Sequence, residues 1–395
     1  MLAAAMASEL LHKDIQEAVS RLSGLLKALI LSTGCDPAKP QVVHRKYGID
    51  RVLCWKISRI IKAPRAEEAL HQLPGEESFS IFTSAAERAG AQAADAAAAL
   101  QASLQLYKAI ETHVGDKATL ELMLDGVGQG RDGLMVSRKL AFRGNSGVLG
   151  VQARSRVQMH LVAPSHRGPG LYDLATSAGW IDFRRLRPQV PWPLYRRNRS
   201  GDPAVGSIEP LGEARGTLPL LLPQFSTNMP ALEMVEDGEH TIYELGPSAA
   251  GSTGAFSLFT GFVQRGMAPT PGAANQAAGT RFSVNVLAPV EQLVIDVLVH
   301  RDVDLAGRLE TALHSAAFND GLVQDRYTAL PIEVTRESLG SPPLLAGAHA
   351  PHLQELAEFL AMRLEQRLDA FVGTRLVVEY PPFPCVASVG LEFAA

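Results

Sequence analysis

Between positions 36 and 65 the chain gathers eight basic side chains against two acidic ones. Four residues in this stretch, Arg51, Trp55, Lys56 and Arg59, fall at offsets that line the outer face of a single helix. Guanidinium and ammonium groups placed this way can donate to guanine O6 and N7 or to phosphate oxygens. The local excess of positive charge suits attraction to a polyanion. A second basic group comprises Arg184, Arg185 and Arg187, followed by Arg196, Arg197 and Arg199 just after Trp192 and Tyr195. Arginines interleaved with aromatics suit an anionic ligand or nucleic acid, and equally suit salt bridges to an acidic partner surface or another subunit.

The remaining chemistry-bearing residues form no reacting set. Gly128-Gln-Gly130-Arg-Asp-Gly133 matches the spacing of a dinucleotide-binding turn. Such a turn needs a strand before it, whereas the preceding LELMLDGV has a helical character, so the segment reads as an interhelical loop. His300-Arg301-Asp302 copies the kinase catalytic triplet in letters only, because the Asn and DFG that should follow are missing. Asp302 and Asp304 read as solvated acids, and His160 and His240 as isolated histidines. Cys35, Cys54 and Cys385 are odd in number and far apart, which gives neither a zinc spacing nor a disulfide framework and fits a reducing compartment. No catalytic residue, cofactor or metal site is expected.

The element that must position the first basic group spans residues 39–62. Pro40 opens a helix, Gly48 supplies a tight turn, Ile49 tucks beneath it, and Asp50 is a candidate N-cap for a second helix. Cys54, Ile57 and Ile61 then form the inner face. This arrangement resembles the helix-turn-helix of bacterial transcriptional regulators, whose second helix, here about 50–62, enters the major groove. The resemblance implies that Arg51, Trp55, Lys56 and Arg59 face the groove, while Arg45, Lys46, Lys62 and Arg65 contact the DNA backbone. Two residues depart from the pattern: His44 stands where the family usually has Ala, and Trp55 is bulky for a groove-facing site. The chain as a whole also resembles an uncharacterised bacterial family that carries such a motif before a long C-terminal domain.

At 395 residues the chain is long enough for two or three domains. Its 46% hydrophobic and 20% charged residues exclude global disorder. Helical periodicity runs through the first 150 or so residues and gives way to strand-like alternation from Val151 onward. The expected fold class is therefore α+β, with an all-helical domain over 1–148 and a mainly β domain over 149–395. Residues 131–200 hold 13 basic and 3 acidic side chains, a net of +10, while the segment after them is acidic. The N-terminus lacks the basic start of a signal peptide, and no apolar run is long enough to cross a membrane. A cytoplasmic location is expected.

These features point to a DNA-binding transcriptional regulator. Its expected partners are duplex DNA and a second copy of itself, as a homodimer or larger, and its C-terminal domain would take an unidentified small effector or drive oligomerisation. The alternatives are a self-assembling interaction protein that keeps the helix-turn-helix as a scaffold, and an enzyme with an unrecognised site in the second half.

Overall fold

The computed structural model describes residues 2–127, 134–198, 208–211, 221–269, 279–305, 307, 309–316, 328–345 and 352–393; side chains are described from residue 13, and not at 126–127, 195–198 or 208. Internal contacts divide the chain into two units, Met1–Gln129 and Gly130–Ala395.

The first unit is helical: α1 (Leu2–Ser32), α2 (Pro40–Tyr47), α3 (Arg51–Lys62), α4 (Ala66–Leu70), α5 (Glu76–Arg88), α6 (Ala93–His113) and α7 (Lys117–Val127). Ile15, Val19, Leu22, Leu26 and Leu29 recur every three or four positions along α1 and are all buried. They pack along α6, whose buried positions Ala96, Ala99 and Ala102 are small and let the two helices approach closely. Phe79 and Phe82 of α5 and Ile57 of α3 complete the same core without exposure.

The second unit begins with α8 (Met135–Leu149) and continues through β1 (Val151–Pro164), β2 (Tyr172–Arg185), β3 (Trp192–Asn198), β4 (Ile208–Pro210), β5 (Leu232–Asp237), β6 (His240–Leu245), β7 (Phe256–Met267), β8 (Gly279–Val286), β9 (Val290–His300), β10 (Glu310–Ser315), β11 (Thr335–Gly340), α9 (Leu353–Arg363), β12 (Phe371–Glu379) and β13 (Cys385–Glu392). Seven strands form one sheet in the order β11-β12-β9-β1-β2-β7-β4. Two three-stranded sheets, β10-β13-β8 and β3-β6-β5, accompany it. The central strands are buried on both faces. Val157, Met159 and Leu161 of β1, with Val294 and Leu298 of β9, meet Leu353, Leu356 and Leu360 of α9. Leu293, Ile295, Val297 and Val299 of β9 point the other way, toward Val284, Leu313 and Val389 of the β10-β13-β8 sheet.

The expected α+β class, an all-helical domain followed by a mainly β remainder, is overturned by this arrangement. The chain is mixed α/β: β1 and β9 pair in parallel within the large sheet, and helices α8 and α9 belong to the same unit as the strands, with α9 covering one sheet face. Periodicity reports which side of a segment is apolar. It carries no record of the pairing partner or of the layer that covers a face, and a parallel pair joins segments remote in sequence.

A polar row interrupts the core beneath the small sheet. Arg156, Gln158 and His160 occupy alternate positions of β1. The Arg156 guanidinium lies 4.9 Å from the centre of the Trp180 ring and donates to the Gly179 carbonyl at 3.0 Å and to Gln158 Oε1 at 3.3 Å. His160 stacks on Phe282 with ring centres 4.2 Å apart, and its Nδ1 lies 3.1 Å from the Thr176 hydroxyl. Burial, reinforced by the nearby Arg156 charge, pushes the His160 pKa down to about 3.

Candidate nucleic-acid interface

The α2–α3 pair is built by local interactions that its own residues dictate. Pro40 lies in the first turn of α2, where its missing N–H costs no helical hydrogen bond. Gly48 ends α2 at φ +66°, a left-handed conformation that residues with a Cβ rarely adopt, and its N–H donates to the His44 carbonyl at 3.0 Å. His44 Nδ1 donates to the Ile49 carbonyl at 2.5 Å, so the imidazole spans the turn. Asp50 accepts from the Leu53 N–H at 2.9 Å and caps α3.

Beneath the turn, α3 is held to the helical core. Leu53, Cys54, Ile57, Ser58 and Ile60 are its buried positions, and Ile61 packs only partly buried. The Ser58 hydroxyl donates to the Pro37 carbonyl at 2.8 Å. Tyr47 sets its hydroxyl 3.1 Å from Thr33 and its ring 5.5 Å from that of Phe82. Burial, with the Asp50 charge adding to it, pushes the Cys54 thiol up to about 11.

On the opposite side, Arg51, Trp55 and Arg59 succeed one another at four-residue intervals and are exposed, with Lys62 beyond them and Lys56 half-buried at the edge. The Arg59 guanidinium carbon sits 5.5 Å from the centre of the Trp55 ring. Among the described residues, no carboxylate forms an ion pair with Arg51, Lys56 or Arg59. Arg45 of α2 is exposed as well. Lys46 donates to the Thr33 carbonyl and Lys62 to the Ala38 carbonyl at 3.2 Å, which leaves each ammonium two further donors. Arg65 is paired with Glu68 at 2.8 Å.

The second basic group is dispersed. Arg185 is 1% exposed and donates to the carbonyls of Leu245 and Gly246, both at 2.5 Å. Arg184 precedes it on β2 and therefore points to the other face. Arg187 donates to the carbonyls of Gly147 and Val148, each at 2.8 Å, and so serves the C-terminal end of α8. Gly150, at φ +74°, lets this contact form, because a Cβ there would lie 2.8 Å from the guanidinium. Arg196 and Arg197 lie on β3 opposite Ile242 and Thr241, but their side chains fall outside the described residues, as does Arg199 entirely.

Residues 128–133, which carry the GxGxxG spacing, also lie outside the described residues. Asp302 is exposed beside His300 at the end of β9. Among the described residues, no group of three or more His, Cys, Asp or Glu side chains could hold a metal ion, and no helix is long and apolar enough to cross a membrane. Sequence reasoning missed the exposure of Val42 on α2 and of Val52 on α3, and it missed the His44 bridge. The signal for the bridge was a donor-bearing side chain placed across a glycine turn. No protein-family model matches the chain, and no curated protein matches it in sequence.

Proposed function

We propose that α3 is a DNA-contacting helix and that the chain acts in the cytoplasm as a DNA-binding regulator. The observation that carries this reading is the exposed Arg51–Trp55–Arg59 stripe, mounted on a capped helix that follows a left-handed glycine turn. A twelve-residue helix extends about 18 Å, long enough to cross a major groove about 12 Å wide. Arg51 and Arg59 supply donors to guanine edges or phosphates. Trp55, with one side against Arg59, offers apolar contact to a thymine methyl. Arg45, Lys46 and Lys62 supply phosphate contacts from the flanks. Two copies would read a palindromic site.

The test is fluorescence anisotropy on labelled duplex DNA across a salt series. Binding should weaken steeply with salt, and the Arg51→Ala/Arg59→Ala double variant should bind at least tenfold more weakly. Its salt slope should be shallower by about 1 for each arginine that reaches a phosphate. Unchanged binding by the double variant overturns the assignment.

A second reading rests on the exposed apolar residues of the helix pair, Val42 of α2 and Val52 and Trp55 of α3, which are 44%, 61% and 43% exposed. They favour docking of the helix pair on a second copy of the chain. Light scattering with and without duplex DNA separates the two: self-association that needs no DNA and is lost in Val52→Lys supports docking.

A further inference from the structure

A cavity of about 340 Å³ lies in the second unit, on the sheet face that carries Val297 and Val299. Val297 and Val299 of β9 form its floor. Val372 and Thr374 of β12 extend that floor on the neighbouring strand, and Leu305, Gly307 and Leu309 line the cavity from the segment after β9. Cross-strand register fixes this composition: Thr374 pairs with Val297 and Val372 with Val299, so all four residues share one face of the sheet. The volume falls at the lower end of the roughly 300–1,000 Å³ typical of small-molecule sites.

Among the described residues that line this apolar space, Arg336 alone is charged. Arg336 of β11 lines the cavity and is exposed to solvent. One of its terminal nitrogens donates to the Leu309 carbonyl, which ties the side chain to the loop that walls the cavity. Among the described residues no carboxylate forms an ion pair with it, and a guanidinium with one donor engaged keeps four more N–H groups for a ligand. A planar guanidinium held beside an aliphatic pocket suits a carboxylate whose tail is apolar, because it can give two parallel hydrogen bonds while the tail leaves water.

We infer that this cavity binds a small aliphatic carboxylate, its chain against Val297, Val299 and Leu309 and its head group on Arg336. Thr374 adds a hydroxyl within the same cavity. The site lies wholly within the second unit, and its occupancy does not depend on whether α3 contacts DNA.

The test is isothermal titration of the full chain with octanoate, octanol and octylamine in the absence of DNA. Octanoate should bind saturably and at least tenfold more tightly than the other two. Arg336→Gln should weaken octanoate about tenfold while leaving octanol unchanged, and Arg336→Lys should restore part of the loss. Val372→Phe, at a 45% exposed position lining the cavity, should weaken octanoate and octanol together without loss of folding. Equal affinity for all three probes, or octanoate binding that is indifferent to both Arg336→Gln and Val372→Phe, overturns the inference.

Discussion

Arg375 and Asp296 face each other directly across β12 and β9, joined by two hydrogen bonds of 2.7 and 2.8 Å, and they are 3% and 0% exposed. A fork-to-carboxylate pair this deep satisfies both charges, and either charge alone would be strongly disfavoured. Arg375→Met should therefore destabilise the second unit by about 3–5 kcal/mol in urea denaturation, whereas Asp296→Leu combined with Arg375→Met should recover most of that loss. Additive losses in the double variant would show that the pair is not energetically coupled.

His160 predicts a pH dependence. Its folded-state pKa is depressed from 6.5 to about 3, so the folded protein excludes a proton that the unfolded chain accepts. Stability should thus fall as pH drops through the window from about 6.5 to about 3, by at most about 1.4 kcal/mol per pH unit, and this contribution should be flat above it. His160→Gln should lose that slope. Parallel stability curves for the two proteins across the window would rule out the buried, neutral imidazole.

The turn between α2 and α3 can be tested by two single changes. Gly48→Ala forces a Cβ into a left-handed conformation at φ +66° and should cost about 1–2 kcal/mol. Asp50→Ala removes the cap on the Leu53 N–H and should cost about 1 kcal/mol, while Asp50→Asn should cost much less. Thermal unfolding of the first unit's helices, followed by circular dichroism, reads both. A neutral Gly48→Ala would mean that the turn relaxes to another geometry.

All three cysteines are buried, and burial pushes the Cys54 and Cys385 thiols up to about 11 and about 12. The native protein should therefore react very slowly with a thiol reagent at neutral pH, and should titrate three equivalents once denatured. Rapid labelling of the native chain would contradict this burial.

The features that the sequence made legible are those decided within a few residues. Gly48 as the turn and Asp50 as the cap follow from neighbouring residues, because a positive φ and an N-cap are local requirements. The inner face of α3 was legible at Cys54 and Ile57, whereas the deepest late position is Ile60 rather than Ile61, a one-residue rotation set by how the helix seats on the core. The amphipathic pattern after Pro351 suggests a longer helix than α9. The helix stops at Arg363, and Glu365 takes φ +61° before the chain enters β12. The burial of Arg185 had no local signal at all. Its acceptors, Leu245 and Gly246, are 60 and 61 positions away, and nothing in FRRLRP distinguishes a buried guanidinium from an exposed one. The carboxylate cavity was invisible for the same reason, since β9, β11 and β12 each contribute only one or two of its residues.

The parallel pairing of β1 with β9 bears on how the chain is made. Ala153 pairs with Val290, 137 positions later, while β1 pairs with β2 through a short connection. On a ribosome adding about 5–20 residues per second, the first unit can fold while the β1–β2 hairpin still waits for its other neighbour. Throughout that interval the backbone N–H and C=O groups along one edge of β1 have no strand beside them and are open to pairing with another nascent chain, while Val157, Met159 and Leu161 on its face still lack the helix that covers them. A chain truncated before Val290 would thus keep the β1–β2 hairpin with that edge unpaired. Cells expressing such fragments should accumulate them as aggregates.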